Sequence, residues 1–304
     1  MEFFTTKTNI PFMQQRSLAF GLSLAVIVAS CLSLGIYGLN MSLDFTGGHQ
    51  VQLQFDETPA MDTIRSAIHS SKQITVYTLG SSKNILMKIP HDNQLQDTHK
   101  LRKLLEEKFP TAKISQLSYI GPQIGTALLF DGINAMIIAL LCTMVYIAMR
   151  FEYRFAISAL IALLHDPIIT LGIFSFFRVE FDIISLAGIL TVLGYSLNDT
   201  IVVYDRIREN YQANPKHHIH DIVNRAINDT LSRTIITSGL TLLAVLALCF
   251  FGGATLWGFS LALAIGIIVG TYSSIYVAGA LSVVIGLQAP DLANSSSKRQ
   301  PHVL

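Results

Sequence analysis

The sequence predicts a polytopic α-helical membrane protein with six transmembrane helices and one small α+β domain inserted after the first. Three observations predict it. Hydrophobic residues make up 51% of the 304 and charged ones only 13%, and the mean hydropathy is +0.49, too apolar and charge-poor for an ordinary soluble domain. Six runs reach the length of about 20 mostly apolar residues that crossing a bilayer requires. The stretch 41–122, by contrast, carries nine Lys or Arg and alternates apolar with polar residues at strand spacing.

The spans are expected at 18–39, 124–148, 155–177, 183–204, 234–251 and 258–287. Val28-Ala29-Ser30-Cys31 resembles a lipoprotein cleavage box, but the apolar run continues well past Cys31, which marks an uncleaved anchor. Lys7 and Arg16 precede the first span, Arg150 and Arg154 lie between the second and third, and five Lys or Arg fall between the fourth and fifth. The opposite short loops hold only Arg178, so the positive-inside rule puts both termini, 1–17 and 288–304, in the cytoplasm and residues 40–123 in the periplasm of a bacterial inner membrane.

Within the exported domain, strands are expected at 50–55, 74–79, 85–89 and 114–120, and helices at 61–68 and 95–109. This βαββαβ order is the split unit of ferredoxin-like folds. The cytoplasmic stretch 205–232 mixes charges with apolar residues at partial helical spacing, which predicts an interfacial amphipathic helix. The Ser- and Asn-rich tail 288–304 reads as disordered.

An ionisable group inside a span costs several kcal/mol and is a functional candidate for that reason. Asp199 lies deep in the fourth span, where helical geometry stacks Val192, Tyr195, Ser196 and Asp199 on one semi-polar face that must point into a bundle. Burial and an approaching cation act on such a carboxylate in opposite senses, so it can switch between charged and neutral forms. Proton coupling and a plain interhelical hydrogen bond are both open to it. Arg233 opens the fifth span, with Thr237 and Thr241 following at four-residue intervals; pairing with Asp199 and snorkelling to headgroups are equally open. Asp166 lies mid-span between His165 and Pro167, where a structural role and a proton relay compete. Together with Asn198, these residues make up the candidate proton pathway. Asp131, near the outer end of the second span with Asn134 one turn on, reads as an interface residue.

Ala262, Gly266, Gly270 and Ser274 form a small-residue face suited to close helix packing. Cys31, Cys142 and Cys249 lie in apolar runs and suggest neither disulfide nor metal. No metal cluster, nucleophile triad or nucleotide motif appears, so neither an enzyme nor a cofactor is expected. A net charge of +1 argues against nucleic-acid binding.

Leu43-Asp44-Phe45-Thr46-Gly47-Gly48 after the first span, Gly121-Pro122-Gln123-Ile124-Gly125 entering the second, the run from Leu197-Asn198-Asp199-Thr200 through Arg208-Glu209-Asn210, and Ser232-Arg233-Thr234 carry a further signal. Through them, nearly the whole chain resembles the SecF family, subunits of the bacterial accessory translocase within the resistance-nodulation-division superfamily. The resemblance implies half of a pseudo-symmetric twelve-helix bundle completed by SecD. It also implies service to the SecYEG channel and to exported unfolded polypeptide, driven by the proton motive force. The family's membrane Asp and Arg map onto Asp199 and Arg233. The coupling ion is left open between H⁺ and Na⁺, since a carboxylate serves either. Two rival readings are a small-molecule or lipid exporter of the same superfamily and a non-transporting scaffold. The short exported domain disfavours the first, and the membrane Asp disfavours the second.

Overall fold

The computed structural model describes residues 9–60, 64, 74–91 and 97–287. In chain order, α1 (Arg16–Tyr37) leads through β1 (Asn40–Met41) and the one-turn α2 (Leu43–Thr46) into the inserted domain. That domain consists of β2 (Gly48–Phe55), β3 (Thr75–Leu79), β4 (Ser81–Pro90), α3 (Thr98–Lys108) and β5 (Ala112–Ile120). Then follow α4 (Pro122–Arg150), α5 (Tyr153–Phe176), β6 (Glu180–Phe181), α6 (Ile183–Ala213), α7 (Ile219–Phe251) and α8 (Gly253–Tyr272). A π-helical turn (Ser273–Ala278) continues α8 into α9 (Gly279–Val284). Among the described residues, six helical segments are long and apolar enough to cross a membrane, as the sequence predicts, the last comprising α8, the π turn and α9.

The domain's sheet is antiparallel throughout, in the order β3-β4-β2-β5, the arrangement of a ferredoxin-like fold. Period-two alternation in β2 sends Val51, Leu53 and Phe55 to one face, where they meet Ile85, Met87, Ile89, Leu101 and Leu105 in a closed core. Gln50, Gln52 and Gln54 occupy the opposite face. The expected helix at 61–68 lies outside the described residues except for Ile64, which is helical and fully buried. The expected disordered tail at 288–304 also lies outside them.

In the bundle, α6 is central, packing on α5, α7 and α8, while α1 lies against α5 and α4 is almost wholly exposed. No separate interfacial helix forms over 205–232. Both flanking helices instead run on beyond the spans, α6 to Ala213 and α7 from Ile219, joined by the turn at 214–218. The apolar spacing in that stretch serves packing: Ile207 and Tyr211 meet Ile222, Val223, Ala226 and Ile227 in a buried core. Arg150–Asp205 and Arg206–Asp229 ion pairs at 2.9 and 3.0 Å tie this end of the bundle together. The N-terminal segment is clamped there too, because Asn228 both accepts from the Ile10 amide and donates to the Ile10 carbonyl.

The small-residue face on α8 performs the packing it predicts. A Cβ placed on Gly266 falls 2.1 Å from a Val192 methyl of α6, and one on Gly270 falls 3.1 Å from Ser196 Cβ. Gly266→Ala is expected to destabilise by about 1–3 kcal/mol through overpacking. Gly194→Ala, with no neighbour within 4 Å, is expected to be neutral or slightly stabilising. Thermal denaturation of the two purified variants measures the difference.

Candidate functional site

Two buried carboxylates sit in the bundle, both facing the line where α8 becomes the π turn. Asp166 on α5 is 0% exposed and Asp199 on α6 is 4% exposed. Carboxylates this deeply enclosed require partners, and the two are satisfied very unequally.

Asp166 is held on both oxygens. Ser196 Oγ of α6 and Ser273 Oγ of the π turn donate to its Oδ2 at 2.6 and 3.0 Å, and His165 Nδ1 lies 2.9 Å from Oδ1. This one side chain therefore ties α5 to α6 and to the end of α8. The His165 ring packs nearly parallel to Tyr272 at 6.3 Å, and its Nε2 is buried without a hydrogen-bond partner among the described residues. Pro167 leaves α5 continuous, and Thr170 Oγ1 donates to the Asp166 carbonyl at 2.9 Å.

Asp199 is held loosely. Ser238 Oγ of α7 reaches its Oδ2 at 3.4 Å, a long contact for a hydroxyl donor. Ser238 in turn receives from Tyr195 OH at 3.2 Å and Thr271 Oγ1 at 2.9 Å. Ser196 and Asp199 are neighbours on one face of α6, as their spacing predicts, so the two networks share that helix and the α8 end. A π turn at such a junction alters the angular phase of the residues beyond it, and such turns concentrate at functional sites.

The structure does not bring every candidate to this place. Asn198 projects from α6 as an exposed side chain, because it lies 100° around the helix from Asp199. Arg233 is exposed as well, and no ion pair joins it to Asp199 among the described residues. Thr234 and Ser238 are the residues that α7 turns inward at this level. Asp131 and Asn134 are exposed on α4. Sequence reasoning missed Ser238, Thr271, Ser273 and His165; their signal is polar residues at helical spacing in otherwise apolar runs.

The Asp44 to Gly48 motif builds the domain's root. Ser42 Oγ accepts from the Asp44 amide and starts α2, and Asp44 Oδ2 accepts from the Ile183 amide, the first residue of α6, at 3.2 Å. Phe45 stacks on Phe181 at 5.8 Å. Gly47 and Gly48 have φ of 78° and 145°, and a Cβ on Gly48 falls 2.3 Å from the Ile89 carbonyl oxygen. A Cβ on Gly125 of α4 falls 2.5 Å from the Phe45 carbonyl oxygen, so backbones touch on both sides of the motif.

Known proteins agree with this architecture. A family model described as the C-terminal part of the protein export membrane proteins SecD and SecF matches residues 100–288, and one for the SecD/SecF GG motif matches residues 32–59. The protein translocase subunit SecF of Vibrio alginolyticus is 42% identical, over 93% of this chain and 92% of that protein. The subunit of the same name from Escherichia coli O157:H7 is 38% identical, over 96% and 94%. The crystal structure of SecDF, a translocon-associated membrane protein from Thermus thermophilus, matches with a TM-score of 0.81 at 35% identity, covering 92% of this chain and 39% of that one. SecDF in a super-membrane-facing form matches with a TM-score of 0.72 at 34% identity, covering 97% and 41%. The chain thus spans about two fifths of the SecDF polypeptide. With this identity sustained over nearly the full length of both sequences, the chain belongs to the SecF family of protein translocase subunits.

Proposed function

We propose that the chain is the ion-coupled half of a SecD-containing complex that uses the proton motive force to assist late stages of protein export through the SecYEG channel. Both termini then face the cytoplasm, and the α/β domain faces the periplasm, where unfolded polypeptide emerges. The observation that carries this reading is the loosely held Asp199, buried at 4% exposure on the helix whose first amide is bound by Asp44 of the domain's root. A buried carboxylate with one long hydrogen bond gives up little bonding when it is protonated, whereas three partners fix Asp166 in place. Asp199 is therefore the switching group, and Asp166 is the member of the pathway that joins α5, α6 and α8. Asn198 and Arg233, exposed in the single chain, are the further members of this proposed pathway.

One charge crossing the membrane releases about 2.3 kcal/mol per 100 mV, enough to shift a conformational equilibrium of a few kcal/mol. The test is the release of a late-stage translocation intermediate from vesicles containing SecYEG, SecD and this chain. Stimulation by the chain is expected to vanish when a protonophore collapses the gradient. If a sodium ionophore abolishes it instead, the coupling ion is Na⁺. Stimulation that survives removal of both gradients overturns the reading.

A further inference from the structure

Beside the root, the α/β domain meets the bundle at a second place, on the sheet face not covered by α3. There Lys88 Nζ of β4 donates to Glu180 Oε1 at 2.7 Å, and the Tyr77 hydroxyl of β3 donates to Glu180 Oε2. The Lys88 ammonium also lies 5.4 Å from the centre of the Tyr77 ring. Both charged side chains are largely withdrawn from water, at 17% and 20% exposure. Charge-assisted hydrogen bonds in such surroundings are stronger than an open surface pair. Burial, and then the hydrogen bond to Glu180, push the Tyr77 hydroxyl above its ordinary range, so it serves as a donor.

Glu180 stands at a mechanically distinctive point. It pairs with Asn40 in the two-residue parallel sheet of β1 and β6. The next residue, Phe181, is buried between Phe45 and Phe174. Asp182 then caps α6, accepting from the Ser185 amide at 2.7 Å. No flexible joint separates Glu180 from α6, whose seventeen residues from Ile183 to Asp199 span about 24 Å. A tilt or axial shift of α6 is thus delivered to the Glu180 carboxylate. Around the contact lies a cleft of about 780 Å³, lined on the domain side by Gln50, Tyr77 and Leu86 and on the bundle side by Phe177, Ile183 and Trp257. The sheet is therefore not packed flat on the bundle, and away from the root it is held by this polar contact together with the approach of β3 to α8.

We propose that Glu180 is the positioning residue through which α6 sets the pose of the α/β domain, by way of Lys88 and Tyr77. The proposal rests on Asp199 being the coupling group on α6, and it names where that helix grips the domain. Its signature is uncoupling: breaking the grip leaves ion movement intact while export fails.

The experiment uses membrane vesicles containing the full-length chain with SecD and SecYEG, with membrane abundance and SecD co-purification measured alongside. Lys88→Glu and Glu180→Lys are each expected to lower export about tenfold, while ion uptake on energisation stays within about twofold of the unaltered protein. The exchanged pair, Lys88→Glu with Glu180→Lys, is expected to recover most of the lost export. Where a charge-reversal variant fails to accumulate, Tyr77→Phe carries the test, with an expected loss of about two- to threefold. Unchanged export in the single variants overturns the proposal, as does parallel loss of uptake and export, or failure of the exchanged pair to recover. Unchanged ion-driven export with Asp199→Asn in the same vesicles removes the proposed function instead, and the rescue between positions 88 and 180 is still read directly from export.

Discussion

Asp199→Asn is expected to assemble normally and to lose nearly all ion-driven stimulation of export. The substitution keeps the shape, and Ser238 can still donate to the remaining carbonyl oxygen, so the cost in stability is expected to be within about 1 kcal/mol. What disappears is the ability to change charge. The ceiling on the effect follows from the driving force, since about 2.3 kcal/mol per elementary charge at 100 mV corresponds to a factor of about 50. Secretion of a slowly exported reporter, in cells whose only copy carries the change and with SecD co-purification checked, measures it. Normal export would reduce Asp199 to a hydrogen-bonding residue between α6 and α7. Asp166 behaves differently. Its three partners tie α5, α6 and the π turn together, so Asp166→Ala removes the links from Ser196 and His165 and leaves Ser273 only the Gly270 carbonyl, and it is expected to impair accumulation of the protein itself.

Gly48→Ala is expected to prevent stable accumulation, the largest structural effect of any single methyl group in the domain. At φ 145° an L side chain is strained, at about 1–3 kcal/mol, and the new Cβ would stand 2.3 Å from the Ile89 carbonyl and 2.9 Å from the His91 amide. These are backbone atoms, and a rotamer change cannot relieve the clash. Gly80→Ala provides the comparison: its φ of 66° is also positive, but nothing lies within 4 Å, so only about 1–2 kcal/mol of strain is expected. Membrane abundance and resistance of the domain to protease separate the two. Equal behaviour of the variants would show that the close approach of β2 to β4 at Gly48 is not essential.

Much of this architecture is legible in the sequence, for a clear physical reason. Spans are long apolar runs, and the domain's strands and α3 carry clean periods of two and 3.6, so composition and spacing find both. Asp199 and Asp166 stand out because charge in an apolar run is costly. Directions are harder to read. In a helix apolar on all sides, periodicity does not say which face is enclosed, so Arg233 and Asn198 are grouped with Asp199 in one candidate pathway although α6 and α7 turn them outward. The 205–232 stretch reads as interfacial because packing between two helices and burial at a membrane surface leave the same amphipathic pattern. Glu180 is invisible at that level. It sits in a short connection, and its partners Lys88 and Tyr77 are about a hundred residues earlier in the chain.

The short pairing of β1 with β6 also orders events during synthesis. Residues 40 and 41 wait for 180 and 181, whereas the last strand of the domain's sheet ends at Ile120. At ribosomal rates of about 5–20 residues per second, the intervening 60 residues take roughly 3–12 s to appear. The α/β domain has that interval to close its own core before its second point of attachment exists. The newly made domain is therefore held first at its root, between the first and second spans, and is gripped at Glu180 only when the third and fourth spans arrive, so a chain interrupted before Glu180 would lack that second attachment.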